Sequence, residues 1–259
     1  MKYFRYSVDD TILILKELTF GNYKSIFEHF YFDFYRKMHL ETGLKIQFNL
    51  FYKCDDFSLV DMTDRFKNEF EENADWIQFS FHARDNTRWI YADAGYEELK
   101  KDCESMHREI VRFSSSKNLN YFTTLHFCTC TQEGARALGD CGIVGLVGLF
   151  GTEEKIRICY DLGEAFSRKM LAESFVYEEN NKMWHIRNDM VINNYPLESI
   201  EGILKSKLNQ KFVEIMMHEQ YFFECTEYYD ADSVKKVRTA VTYLVKNGYQ
   251  SVYLDELLF

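Results

Sequence analysis

Short runs of alternating apolar residues take turns with amphipathic helical patterns along the whole chain, and this rhythm restricts the fold more than any single motif. LKIQFNLFY (44–52) sets Leu44, Ile46, Phe48 and Leu50 on one side, and WIQFSFH (76–82) sets Ile77, Phe79 and Phe81 against Gln78, Ser80 and His82. A period of two marks a half-buried strand. Further strand-like runs occupy 3–8, 121–129, 142–150, 155–160, 211–218 and the closing SVYLDEL. Between them, YEELKKDCESMHREIVRF repeats Tyr96, Leu99, Cys103, Met106, Ile110 and Phe113 at helical spacing. A second helix carries Val234, Val237, Val241, Leu244 and Val245 on one stripe, with Asp232 as its start signal and Gly248 as its stop. Such alternation predicts an α/β fold, a parallel sheet flanked by helices. About seven or eight units favour a closed barrel over an open sheet. With one proline, Pro196, and no Gly/Ser tract, one domain over residues 1–259 is expected.

The chain's 259 residues are 46% hydrophobic, and 23 Phe with 18 Tyr fit a thick core. The formal charge of −10 and the lack of any Lys/Arg run argue against nucleic acid as a partner. No stretch approaches the roughly 20 apolar residues of a membrane span. Seven cysteines, an odd number without paired CxxC spacing, read as reduced thiols. Together with an N-terminus that lacks a charged-then-apolar leader, they predict a cytoplasmic protein.

Several strands carry polar residues at their C-terminal ends: Asp9 and Asp10 after the first, His82, His126, and His218 on a late one. In a parallel barrel all these ends open on one face, so residues far apart in sequence converge there. Neighbouring strand residues point to opposite faces, but a turn at the strand end lets both aspartates reach one pocket. One carboxylate with imidazoles makes a divalent-metal site of the zinc type, open to water. A second carboxylate can take a proton from that water, and a histidine opposite can protonate a leaving group. Metal-assisted hydrolysis is the chemistry such a set supports.

These residues resemble a family. YSVDDT is similar to the T-F-D-D-G strand end of polysaccharide deacetylases, the group containing chitin and peptidoglycan deacetylases. VEIMMHE resembles that family's late strand ending in histidine, FSFHARDN stands at the place of its H-x-x-x-H pair, and KNGYQSVYLDELL fits its ending. The resemblance covers essentially the whole chain. It implies a distorted seven-stranded β/α barrel, a (β/α)7-type fold. It also implies a divalent metal ion, zinc or similar, and removal of an N- or O-acyl group from a small carbohydrate or related amide. By the same resemblance Asp9 is the catalytic base, Asp10 and His82 are metal ligands, and His218 is the catalytic acid. The chain departs from the pattern in three places. Thr11 replaces the usual glycine, Asn86 stands at the spacing of the second histidine, and HFCTCTQEG replaces the R-x-P-x-G loop. His126, in that last segment, is expected to restore the third ligand. The alternative is a core histidine on the Thr124–His126–Cys128 side of a strand. Cys128 and Cys130 share that side, as buried thiols or as further sulfur ligands.

Arg84 and Arg88 follow His82 on the expected active face, where they pair with Asp85 or meet an anionic substrate. Trp184, beside His185 and Asp189, is either a core residue or an aromatic near the pocket that stacks on a sugar. His29, His39 and His107 read as structural. Three functions fit: a metal-dependent acyl hydrolase, a carbohydrate-binding barrel with an impaired metal site, and a metal-free glycosidase. The glycosidase requires a second acid opposite Asp9, with Glu214 and Glu219 as candidates.

Overall fold

A computed structural model describes all residues from Met1 to Phe259. Its strands are β1 (Lys2–Thr11), β2 (Ile46–Phe51), β3 (Ile77–Ala83), β4 (Phe122–Thr123), β5 (Gly145–Gly148), β6 (Phe175–Glu178), β7 (Met183–Arg187), β8 (Met190–Val191), β9 (Phe212–His218) and β10 (Tyr249–Ser251). The order β8-β9-β1-β2-β3 forms one parallel ladder, with β10 against the start of β1. A second sheet pairs β4, β5 and β7 in parallel, with β6 antiparallel on its edge. Regular pairing does not close the ring. One parallel bridge, Phe79 to Leu119, links β3 to the segment before β4. On the other side the chain passes from β7 to β8, so that the Asn188 N–H bonds Gly148 O (2.8 Å) and the Asp189 N–H bonds Glu214 O (2.9 Å). The result is a parallel α/β sheet of the distorted (β/α)7 type, with the strand C-termini on one face.

The alternation in β2 shows why these residues form such a layer. Phe48 packs outward among Tyr31, Phe32, Tyr35 and Phe79. The other face of the strands is polar and still buried: Arg5, Ser7 and Asp9 on β1, Gln47 and Asn49 on β2, Ser80 and His82 on β3, and Glu214 on β9. Buried polar groups are costly unless paired, and several of these residues bond one another within and across strands. Arg5 is ion-paired with Glu214, both fully buried. Gln47 Nε2 donates to Asn49 Oδ1 (2.7 Å), and Asn49 Nδ2 donates to Asp9 Oδ1 (2.6 Å). This polar column ends at the open face, beneath the aspartates.

The helix Tyr96–Phe113 buries Leu99, Cys103, Met106, Ile110 and Phe113, the stripe expected from the sequence. The helix Ser233–Lys246 buries Val237, Val241 and Leu244 but leaves Val234 exposed, and Asp232 bonds Lys235 instead of capping. Three strand expectations are corrected. Of 121–129, only Phe122–Thr123 pairs as a strand, because the chain turns at His126–Cys128 with left-handed backbone at Phe127 and Cys128. Residues 155–160 form no strand; Tyr160 N–H bonds Cys128 O (3.0 Å) and Arg157 Nη2 bonds Phe127 O (2.6 Å), which ties the segment to that turn. SVYLDEL leaves the sheet after Ser251 and ends in the short helix Asp255–Leu258. No helix is long and apolar enough to cross a membrane.

Glu219 illustrates how the fold uses a buried acid. The helix Leu13–Phe20 begins without a capping side chain of its own. The Glu219 carboxylate accepts instead from the amides of Ile12 (2.7 Å), Leu13 (2.6 Å) and Ile14 (3.0 Å). Glu219→Ala strands three buried donors and is expected to cost about 2–3 kcal/mol in urea unfolding.

His107 and His185 are structural. His185 is buried against Tyr160 and Phe166. Burial pushes both imidazoles down to about 4. In the unfolded chain they return to about 6.5 and bind protons that the folded state refuses. Their contribution is therefore full above about pH 6.5 and is lost as pH falls toward 4. His185→Phe is expected to flatten that acid limb by roughly 2 kcal/mol at pH 4, read from urea midpoints across pH.

Candidate metal centre

Register breaks at the ends of β1 and β3 aim the site's residues. Between Val8 and Thr11 one extra residue of β1 faces β2, and Asp10 takes a left-handed backbone (φ 61°). Asp9 keeps the inward direction of Arg5 and Ser7, while the bulge swings Asp10 to the same side. A second irregularity, where Leu50 and Phe51 meet Phe81 and Ala83, places His82 at the rim.

Asp10 Oδ1 lies 2.9 Å from His82 Nε2 and 3.2 Å from His126 Nδ1, and the two imidazole nitrogens are 3.3 Å apart. These three atoms are the cluster with metal-ligand potential, and no cysteine belongs to it. In a tetrahedral site with bonds near 2.0–2.1 Å, neighbouring ligand atoms stand about 3.3 Å apart. The observed triangle has that size. His82 Nδ1 faces the Thr124 carbonyl, which can only accept, so Nδ1 carries a proton; Nε2 donates to Asp10, and loss of that second proton would free its lone pair for a metal. Two imidazole nitrogens and one carboxylate oxygen form a donor set suited to zinc or a similar ion. The residues present therefore fit such a metal. Gln220 Nε2 holds the other Asp10 oxygen (3.0 Å). His126 lacks an equivalent support, since its Nε2 is buried without a partner.

Electrostatics separates the two aspartates. Burial raises Asp10, but hydrogen bonds from His126 and His82 outweigh it and hold the carboxyl well below the usual range. Burial also raises Asp9, and there it wins over the opposing charges of His82 and His218. His82 is lowered by burial, yet Asp10 and Asp9 bring it above its ordinary value. Asp9 is the register partner of His218 on β9. Asn193 Oδ1 receives both the His218 backbone N–H (3.2 Å) and Nδ1 (2.9 Å). Its oxygen must therefore face the ring, so Nδ1 carries a proton and Nε2 is left for the cleft.

Asp9, Asp10, His82, His126 and His218 all line one cleft of about 1160 Å³. His126 is not a strand residue of the core; it opens the turn after β4, with its ring against Phe51 and Phe127. Asn86 lines the cleft from an exposed position, three residues past the end of β3 at Ala83. Arg84 turns away from the cleft to Asp85 (3.3 Å) and Glu98 (3.3 Å). Arg88 lines the cleft. Trp184 does not; it lies tilted beside Tyr177 (ring centroids 5.2 Å apart), packed against a small separate core. Cys128 reaches the cleft and Cys130 is buried, neither near enough to join the ligand cluster. The glycosidase loses both its proposed second acids, since Glu214 is held by Arg5 and Glu219 by helix amides, and neither lines the cleft.

Asn49, Thr124, Asn193 and Gln220 are the supporting residues that sequence reasoning missed. Asn49 carried a signal, as the polar side of a clean alternation. Asn193 carried none, because the short turn after β8 brings it to His218.

No family model matches the chain, and no curated protein matches its sequence. Solved structures do match in shape. A family 4 acetyl xylan esterase from Clostridium thermocellum, in complex with a cobalt ion, is 10% identical at a TM-score of 0.55, over 99% of this chain and 90% of the other. A carbohydrate esterase family 4 pseudoenzyme from Bacillus anthracis is 12% identical at a TM-score of 0.50, over 100% of this chain and 66% of that one. A 4-alpha-glucanotransferase from Thermococcus litoralis is 10% identical at a TM-score of 0.65, with 99% of this chain spanning 40% of the enzyme. The resemblance read from the sequence thus holds at the level of the fold: the chain has a divergent version of the polysaccharide-deacetylase fold.

Proposed function

We propose that this protein is a metal-dependent hydrolase that removes an acyl group from a carbohydrate or a related small amide. The observation that carries the reading is the convergence of Asp10, His82 and His126 into a ligand triangle flanked by Asp9 and His218. Proteins that share the fold, an acetyl xylan esterase and a peptidoglycan N-acetylglucosamine deacetylase, support an acylated sugar as substrate.

A bound divalent ion supplies Lewis acidity, polarising an acyl oxygen and making water acidic at neutral pH. The chain's own residues do the rest. Asp10, His82 and His126 hold the ion, with His82 oriented through Thr124 and Asp10 through Gln220. Asp9 stays out of the ligand set. Its carboxylate is fixed by Asn49 and raised by burial, which suits a base that takes a proton from the attacking water. His218, positioned through Asn193, offers Nε2 to the leaving nitrogen or oxygen and donates a proton as the acyl bond breaks.

The test is acetate release from acetylated chitooligosaccharides and acetylxylan by zinc- or cobalt-loaded protein. Release that stops with chelator and returns with metal is the expected result. Metal uptake without turnover on any acylated sugar or amide contradicts the hydrolase reading and favours a binding barrel.

A further inference from the structure

We propose that the substrate carries an anionic group, a carboxylate or a phosphate, that Arg88 and Arg157 receive beside the metal triangle; this rests on the acyl-hydrolase reading of the same cleft. Most arginines of this acidic chain are neutralised by carboxylates, as in Arg5–Glu214, Arg84–Asp85, Arg187–Asp189 and Arg238–Glu41. Arg88 and Arg157 have no such partner, and both line the cleft. Lys16 also lines it but is bonded to Asp56 (2.5 Å). Among the Lys and Arg side chains that line the cleft, only these two have no carboxylate partner.

Their placement ties them to the triangle. The rings of His126 and Phe127 are 4.6 Å apart. Arg157 Nη2 donates to the Phe127 carbonyl (2.6 Å), and the Arg88 guanidinium lies 5.8 Å from the Phe127 ring and 4.7 Å from the Trp89 ring. Held beside both rings and with no carboxylate partner, Arg88 keeps its N–H groups free for a planar or tetrahedral oxyanion. Trp89 (φ 56°) and Phe127 (φ 57°) both hold left-handed backbone, which bulky residues adopt only under constraint. Trp89 is nevertheless 53% exposed, and its ring stands edge-on to Phe127 at 6.3 Å. Two strained loops thus present an aromatic platform and two cations on the His126 side. Glu17, Asp55 and Glu227 also line the cleft, with Glu17 already bonded to His29 (2.6 Å). An anionic substituent is favoured only at the Arg88–Arg157 end, which fixes the orientation of the sugar as well as its charge.

The test is calorimetric titration of zinc-loaded full-length Asp9→Asn protein with N-acetylglucosamine, N-acetylglucosamine 6-phosphate and N-acetylmuramic acid. At least one anionic ligand is expected to bind about tenfold or more tightly than the neutral sugar, and the arm that does so distinguishes phosphate from carboxylate. That preference is expected to vanish in Arg88→Ala/Arg157→Gln, where the neutral amide removes the charge but retains a donor for the Phe127 carbonyl and so guards against loss of the turn. Equal affinity for all three ligands, no binding by any of them, or a preference that survives the double substitution overturns the proposal. Zinc content and acetate release by the parent are read in parallel. Anion preference without metal sinks the hydrolase and leaves the anion site standing, whereas turnover without preference removes only the anion site.

Discussion

Asp9→Asn is expected to slow acyl hydrolysis by about 10²–10⁴-fold while the protein keeps its metal. The substitution is nearly isosteric, and the new carbonyl oxygen can still accept from Asn49 Nδ2, which now contacts Asp9 Oδ1 at 2.6 Å. What disappears is the ability to take a proton. Because burial already disfavours the Asp9 charge, the fold should be at least as stable with the neutral amide. Rates of acetate release, measured with metal content on the same samples, separate this role from a ligand role. Loss of the metal in Asp9→Asn would assign Asp9 to the ligand set.

His82→Ala has the opposite signature. It removes a ligand nitrogen, frees the Thr124 carbonyl and leaves Asp10 with His126 and Gln220 alone. Outer-sphere changes alone weaken metal sites by 10–100-fold, so loss of the ligand itself is expected to cost more than about 100-fold in zinc affinity. Hydrolysis should fall to background. A melting experiment gives a readout free of turnover. Zinc at about 100 times its dissociation constant should stabilise the parent by roughly 2.7 kcal/mol and leave His82→Ala almost unmoved. Stabilisation of the variant equal to that of the parent would place the ion elsewhere.

The strands that hold the site were the legible part of the sequence, because β2 and β3 alternate cleanly and β1, β3 and β9 carry polar residues at or near their C-terminal ends. Asp9–Asp10 and His218 could be brought together from sequence alone, since parallel strands share one open face. The bulge that turns Asp10 inward could not, because it is a register effect between β1 and β2. The sequence places His126 at the end of a strand, whereas it sits in a turn; the apolar run 121–129 hides the left-handed residues Phe127 and Cys128. For Trp184 and Arg84 the sequence leaves two readings open, and tertiary packing selects the core for Trp184 and the pairing with Asp85 for Arg84. The supports Asn193 and Gln220 lie where no periodic pattern points, in short turns after β8 and β9.

The central claim is that His126 completes a triangle with Asp10 and His82 in place of the residue at position 86. It is tested most directly by elemental analysis of the purified protein and its His126→Ala variant, each incubated with zinc and desalted. About one zinc per chain in the parent, lost in the variant, is the result this account predicts. No uptake of zinc, cobalt, nickel or manganese by the parent, or equal zinc in both proteins, would contradict it.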